Sequence, residues 1–233
     1  YANPVIFLFL GGFMIAAALA QCGLHRRMAL ATIALVGTRP ASLVGGFMAA
    51  TAFISMWVSN TATIAMMYPL AMSVIALAER DLRVRDAGFA VALLLGLAYA
   101  ANIGGLGTLI GTPPNSLLAG FVAETYGREI GFAQWMLLGV PIVVAALPLV
   151  WLILVRQLYP LPREEIAGGR EMFRAESVAL GRLSRAEWTV GLITLVTAAS
   201  WIARPLIERV VPGISDAGIV IGGAILLFLM PGT

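Results

Sequence analysis

The sequence NIGGLGTLIGTPPN, residues 102–115, interrupts a block that runs from residue 87 to residue 123 without one charged side chain. Such a block is too long for one simple membrane span, which needs about 20 residues. Its centre contains four glycines and the pair Pro113-Pro114, which a continuous helix would not accept. Unwound backbone at membrane depth is tolerated only where it is buried in protein or lines a polar cavity. The stretch therefore predicts a broken transmembrane helix over residues 80–132.

The composition places this block in a membrane protein. Of the 233 residues, 60% are hydrophobic and 12% are charged, and the mean hydropathy is +0.93. Soluble domains have about 25% charged residues, so we expect lipid to cover much of this surface. The sequence thus predicts an all-α polytopic membrane protein. Its other parts are a transmembrane helix followed by an interfacial helix (1–38), a transmembrane helix (133–158), a polar loop (159–187) and further transmembrane helices (188–233).

A second overlong block has no charge between Arg39 and Glu79, and its middle reads SMWVSNTAT, residues 55–63. One interpretation is a re-entrant hairpin over residues 39–79 with Ser-Asn-Thr at its tip. The alternative is two full spans of about 18 residues each, with the tip outside the membrane. We favour the hairpin because a small, uncharged tip suits burial in protein. We also expect each half of the two overlong blocks to be too short to cross alone, which would place both interruptions near the bilayer midplane.

Arginine predicts the orientation. All fifteen basic residues are arginines, and twelve of them lie in residues 25–39, 79–86 and 156–187. The positive-inside rule makes these three segments cytoplasmic. Short basic segments between apolar runs are also unlike a basic nucleic-acid groove, so the net charge of +3 does not indicate a nucleic-acid partner.

Several chemistries lack the residues they need. The chain has one cysteine, Cys22, and one histidine, His25, so it has no internal disulfide and no metal-ligand set of these types. The membrane blocks contain no ionisable pair for a proton relay or an intramembrane hydrolase. We therefore expect neither an enzyme nor a cofactor.

The two interruptions offer neutral oxygen atoms. Ser55, Ser59 and Asn60 lie at positions i, i+4 and i+5, so in a helical arm the two serines share a face. Their side-chain oxygens, with carbonyls freed at Gly104, Gly105 or Gly111, would suit a small alkali cation.

The same interruptions also offer hydrogen-bond donors for an anion. A helix N-terminus attracts an anion, and Pro113 is a residue type that favours the first helical position. Asn60, Thr61 and Thr112 could bind a carboxylate there. Small polar motifs also serve close helix packing, which is the commoner role for either motif alone. Two such motifs in adjacent uncharged blocks favour a binding site, with cation and anion side by side.

At these motifs the chain resembles the divalent anion/sodium symporter family, which includes bacterial dicarboxylate transporters and animal citrate, dicarboxylate and sulfate carriers. The likeness lies in FLGGF at 9–13, GLHRR at 23–27, SMWVSNTAT at 55–63, and NIGG with GTPPN within 102–115. It implies an inverted-repeat transporter with two re-entrant hairpins. It also implies a sodium site at Ser55, Ser59, Asn60 and the backbone of Gly111, and substrate contacts from Asn60, Thr61, Thr112 and Pro113.

The resemblance implies an elevator-type homodimer. Residues 1–38 and 188–233 would form its scaffold, and the hairpin with the broken helix would move. Sodium-coupled transport of a C4-dicarboxylate is the leading expectation; carriers of sulfate, citrate or another oxyanion, a dicarboxylate exchanger, and a channel-like or structural subunit are the alternatives. Because only one Ser-Asn-Thr is present, we expect a fragment that covers the first repeat and the start of the second.

Overall fold

The chain is helical throughout the part that the structure describes. The structure is a computed structural model, and it describes residues 4–80 and 87–230. The predicted segment 81–86 and the extreme ends, 1–3 and 231–233, lie outside the described residues. Within them are eleven α-helices and no strand, as the sequence predicts: α1 Pro4–Cys22, α2 Leu24–Ala34, α3 Pro40–Ser55, α4 Asn60–Arg80, α5 Ala87–Gly105, α6 Pro113–Tyr126, α7 Phe132–Leu152 with a π-helical extension Ile153–Leu158, α8 Gly169–Ala179, α9 Arg185–Ile202, α10 Arg204–Ile207 and α11 Asp216–Leu229.

Helix length corrects one expectation. Among the described residues, three stretches are long and apolar enough to cross a membrane: Asn60–Arg80, Gly88–Gly105 and Phe132–Leu158. Helices α4 and α5 are long enough to cross, so our expectation that every half of the two overlong blocks is too short was wrong. Only α3 and α6, with 16 and 14 residues, are short. Length therefore does not place the interruptions at the midplane. The re-entrant hairpin over 39–79 stays a prediction.

A sharp bend separates α1 from α2. Gly23 lies between them with a φ of 79°, which a residue with a side chain rarely adopts. The two helices are bent by 71° and together have the length and hydropathy of one further span. If α1 crosses the bilayer, α2 runs closer to the membrane plane, which is the arrangement predicted for an interfacial helix.

Two of the arginine-rich segments lie at the same end of the molecule. Residues 25–39 and 156–187 are predicted to share one side of the membrane, and the structure brings them into contact. The contacts between side chains include Arg26 with Glu176, Arg27 with Glu187, and Thr38 with Glu165. Only Glu79 and Arg80 of the third segment, 79–86, are described. The cytoplasmic location of this end stays a prediction.

The larger apolar core is built on the packing of α3 against α5. The residues buried between them are Leu43, Val44, Phe47 and Met48 of α3 and Ala92, Leu93, Leu97 and Ala100 of α5. A Cβ atom on Gly104 would collide with the carbonyl oxygen of Ala52, so glycine is required for the helices to approach this closely. This contact holds the ends of α3 and α5 beside each other.

A second apolar core joins α1, α9 and α11. Its buried residues include Leu8, Ile15, Leu19, Val190, Ile193 and Val220. Leu109 and Ile110, from the segment between α5 and α6, also belong to it. Trp57, from the turn between α3 and α4, packs against both cores. Both interrupted segments are therefore held at the boundary between the two cores.

The start of α9 provides a pH-dependent contact. Arg27 donates a hydrogen bond of 2.9 Å to Glu187, and Glu187 forms a reciprocal capping box with Ser184. The hydrogen bond from Arg27, followed by that from the Ser184 N–H, lowers the pKa of Glu187 below its ordinary value. A carboxylate with a lowered folded-state pKa stabilises the fold above its unfolded pKa, about 4.3, and the stabilisation is lost as pH falls through the folded value.

We therefore expect Glu187→Gln to lower the midpoint of thermal unfolding at pH 7, and the difference from wild type to shrink as pH falls below about 4. Thermal unfolding of the complete protein in detergent, measured over this pH range, checks the result. Glu176→Gln is the control. Its pair with Arg26 is more exposed, and exposed pairs contribute about 0–1 kcal/mol. An equal effect of the two variants at pH 7 would contradict the assignment.

Candidate functional site

Four helix ends meet where the two interruptions pack against each other. Helices α3 and α5 end here, and α4 and α6 begin here, at Ser55, Gly105, Asn60 and Pro113. The contact between the interruptions is direct, because the Thr108 hydroxyl donates to the Met56 carbonyl and the Asn60 amide donates to Asn102 at 3.2 Å. The two motifs that the sequence analysis singled out therefore form one site.

Ser55 lies at the centre of this site and is fully buried. Its Oγ lies 2.7 Å from Asn60 Oδ1 and 2.8 Å from the Ala101 carbonyl oxygen. A hydroxyl has one proton, so it can donate to only one of these two acceptors at a time. The result is a group of neutral oxygens with few protons among them, which suits a small hard cation.

Two glycines allow main-chain oxygens to reach the same place. A Cβ atom on Gly105 would lie 2.5 Å from Asn60 Oδ1. A Cβ atom on Gly111 would lie 2.6 Å from the Gly105 carbonyl oxygen and 3.0 Å from that of Ser55. Real Cβ atoms essentially never lie within 3.0 Å of backbone atoms, so residue 111 must be glycine, whereas a side chain at residue 105 would displace the Asn60 amide. The predicted sodium ligands Ser55, Asn60 and Gly111 are thus brought together.

Ser59 differs from the sequence expectation. Helix α3 ends at Ser55, and residues 56–59 form a turn. The two serines therefore do not share a face of one helix, and the expectation based on their spacing was wrong. The Ser59 hydroxyl instead accepts a long hydrogen bond, 3.4 Å, from the N–H of Ala62 in the first turn of α4. Its role as a sodium ligand stays a prediction.

The predicted anion contacts lie on the open side of the site. Thr61 and Pro113 are exposed, and Thr112 and Asn60 are half-buried. Thr112 precedes α6 with extended backbone, and Pro113 occupies the first turn, as the sequence predicts. Within residues 4–80 and 87–230, the structure records no side-chain hydrogen bond that joins Thr61 to Thr112. It places both at helix N-termini without joining them.

The helix ends give the site its electrostatic character. Each helix has partial positive charge at its N-terminus and partial negative charge at its C-terminus. The ends of α3 and α5 therefore favour a cation, and the starts of α4 and α6 favour an anion. No charged side chain belongs to residues 55–63 or 102–115, so backbone dipoles dominate the local field. The arrangement can hold a small cation and an anionic group beside each other.

Two residues that hold the loop were missed by the sequence analysis. Asn115 Nδ2 donates to the Gly105 carbonyl at 2.8 Å and to the Thr108 carbonyl at 2.7 Å. The Thr108 hydroxyl also accepts a hydrogen bond of 3.0 Å from the N–H of Gly111. An asparagine directly after a proline pair, in an otherwise apolar helix start, is the signal that could have identified the first of them. Asparagine side chains commonly bond to nearby backbone in this way.

We expect Asn115→Asp to destabilise the complete protein by several kcal/mol, because a carboxylate would face two carbonyl oxygens without a donor. Thermal unfolding in detergent measures the change, and Asn115→Ala is expected to have a smaller effect of about 1–3 kcal/mol. Ser73→Ala serves as the control. Ser73 is an exposed residue that bonds only to the Pro69 carbonyl of its own helix, so wild-type stability is expected. Wild-type stability of Asn115→Asp would contradict the two hydrogen bonds.

Comparison with known proteins identifies the family of the chain. The family of citrate transporters (CitMHS) matches residues 1–231, and the chain belongs to this family. It is therefore a multi-pass protein of the cell membrane from a family of transporters rather than of enzymes, which confirms the resemblance seen in the sequence.

Two curated relatives are similar to this chain over nearly its whole length. The chain is 38% identical over 240 residues to the sodium-dependent dicarboxylate transporter SdcS of Staphylococcus saprophyticus, and it has the same identity to SdcS of Staphylococcus aureus. Each match covers 99% of this chain and 46% of the relative. The chain thus spans about half the length of the curated relatives it matches.

Proposed function

We propose that this chain contributes to sodium-coupled transport of a small dicarboxylate. The observation that carries the proposal is the meeting of four helix ends around Ser55 and Asn60, with two ends suited to a cation and two suited to an anion. Broken helices of this kind form ion and substrate sites in many transporters. The Staphylococcus relatives are named sodium-dependent dicarboxylate transporters, which supports both sodium and a dicarboxylate.

In this proposal the site is divided between two ligands. Sodium is bound by oxygens of Ser55, Ser59 and Asn60 and by the backbone around Gly111. The substrate carboxylate is bound on the open side, at the residues predicted from the sequence: Asn60, Thr61, Thr112 and Pro113. Asn60 belongs to both sets, because its Oδ1 faces Ser55 while its Nδ2 points to Asn102. Sodium binding would therefore orient the amide that meets the substrate, which couples the two.

The proposed mechanism is of the elevator type in a homodimer with inverted repeats. Two apolar cores support it, since α1, α9 and α11 pack mainly with one another and α3, α4 and α5 form the other core. We propose the first group as the scaffold and the second as the moving part. Residues 25–39, 79–86 and 156–187 would face the cytoplasm.

Citrate is the second candidate substrate, because the matching family is described by citrate transport. Sulfate or another oxyanion, and exchange of dicarboxylates without sodium, would use the same arrangement of helix N-termini. A channel-like or structural subunit would use the glycines only for packing. A sodium-dependent rise in unfolding temperature separates this last class from the others, because packing has no reason to prefer sodium.

Uptake of radiolabelled succinate by the complete protein in liposomes tests the proposal. We expect uptake to require an inward sodium gradient and to be inhibited by excess unlabelled dicarboxylate. Uptake that is indifferent to sodium but stimulated by internal dicarboxylate would indicate exchange. Inhibition by citrate but not by fumarate would assign the site to a tricarboxylate. If neither succinate nor citrate entered the liposomes, the proposal would be rejected.

A further inference from the structure

A basic cavity lies at the arginine-rich end of the molecule, away from the site described above. Its volume is about 730 Å³, and it is formed by the start of α3, the end of the extended α7 and the segment that follows. Arg39, Arg156 and Arg163 line it, and no acidic residue is among its lining residues in the described chain. Three arginines therefore line one space without a carboxylate among its other lining residues.

The guanidinium groups of these three arginines have no partner within the described residues. Neither an ion pair nor a side-chain hydrogen bond joins any of them to another residue of 4–80 or 87–230. By contrast, Arg26, Arg27, Arg170 and Arg204 each pair with a carboxylate. Guanidinium groups in one cavity repel one another, and an anion between them would replace that repulsion with charge-assisted hydrogen bonds.

Helix length and charge indicate that the cavity lies near the lipid headgroups. The helical stretch Phe132–Leu158 has 27 residues, about 40 Å, and Arg156 is the first charged residue along it. A hydrocarbon core of about 30 Å ends before this point. Arg39 similarly marks the start of the uncharged block that continues to Glu79. Both arginines thus stand where uncharged segments leave the membrane.

The walls of the cavity are partly apolar. Trp151, Val155 and Leu161 line it together with the arginines. Trp151 is fixed in place by a hydrogen bond of 2.9 Å from its indole N–H to the Ala41 carbonyl, and tryptophan is common at membrane–water interfaces. A small soluble anion needs no apolar wall. A lipid presents a phosphate joined to glycerol and acyl chains, which matches this mixture.

We propose that this cavity binds the phosphate of an anionic membrane lipid such as phosphatidylglycerol. Arg39, Arg156 and Arg163 hold the phosphate, and the apolar wall contacts the glycerol and upper acyl region. Basic pockets on the cytoplasmic side of membrane helices are a known means of binding anionic headgroups. The proposal does not depend on the transported substrate, so it can fail or succeed independently of the transport function.

Native mass spectrometry of the complete protein in detergent tests the site, with equal amounts of phosphatidylglycerol and phosphatidylcholine added. We expect wild type to retain phosphatidylglycerol preferentially. A triple variant, Arg39→Gln with Arg156→Gln and Arg163→Gln, is expected to bind it about a hundred-fold more weakly, at about fivefold for each arginine. Arg163→Gln alone changes one exposed side chain and is expected to show about a fivefold loss.

The matched control removes three exposed arginines from the same end, Arg174, Arg182 and Arg185, again as glutamines. We expect it to retain most of the phosphatidylglycerol binding. Equal losses in the two triple variants would show general charge attraction and overturn the site, as would a wild type without lipid preference. Addition of glycerol phosphate distinguishes the source of the phosphate. If it displaced the lipid at similar concentration, the cavity would bind a free anion, and the lipid assignment would be wrong.

Discussion

Asn60→Ala is expected to reduce sodium-driven succinate uptake by the complete protein about a hundred-fold or more. The side chain accepts a hydrogen bond from Ser55 and donates one to Asn102, and in the proposed function it also meets sodium and the substrate. A hydrogen bond to a charged ligand is worth about 1.5–3 kcal/mol. Losses of this size at two ligands multiply, since every 1.4 kcal/mol is tenfold. Initial rates of uptake into liposomes measure the effect.

Ser73→Ala is the control for this experiment as well. Ser73 lies on the same helix as Asn60, but its hydroxyl bonds only to the Pro69 carbonyl within that helix. Uptake by this variant is expected to match wild type. If Asn60→Ala also transported succinate at the wild-type rate, Asn60 would belong to neither ligand, and the proposed coupling would be wrong.

Gly111→Ala is expected to abolish the stabilisation of the complete protein by sodium. A methyl group at this position would lie 2.6 Å from the Gly105 carbonyl oxygen and 3.0 Å from the Ser55 carbonyl oxygen. Both neighbours are backbone atoms and cannot turn aside as a flexible side chain could. The methyl group must therefore displace the loop or occupy the space among the oxygens. The measurement is the unfolding temperature in sodium chloride compared with that in choline chloride.

A ligand that binds only the folded state raises stability according to its concentration relative to Kd, so loss of the site removes the difference between the two salts. The readout is that difference rather than stability itself, because the variant is also expected to be less stable in both salts. Gly222→Ala is the matched glycine control, since a Cβ atom there has no neighbour within 4 Å in the described chain. A wild-type sodium response in Gly111→Ala would remove the loop from the cation site.

The sequence by itself determined the class of the molecule. Low charge, long uncharged blocks and clustered arginines require a helical membrane protein, because hydrocarbon excludes both charge and unpaired backbone. It also located both interruptions. The polar run Ser59-Asn60-Thr61 interrupts the apolar block at 39–79, and glycines and the Pro113-Pro114 pair act on the backbone within a few residues at 102–115. The start of α6 at Pro113 was predicted for this reason.

Only the tertiary structure decided which distant groups meet. It brought residues 55–60 against 101–115, separated Ser55 from Ser59 by a turn, and showed that Asn115 holds the loop. It also showed that α4 and α5 are long enough to cross the membrane. Spacing along the chain could not reveal which residues meet at the helix ends, because those contacts depend on the packing of α3 against α5. The physical reason is that local preferences set where a helix stops, whereas burial across helices sets what its end faces.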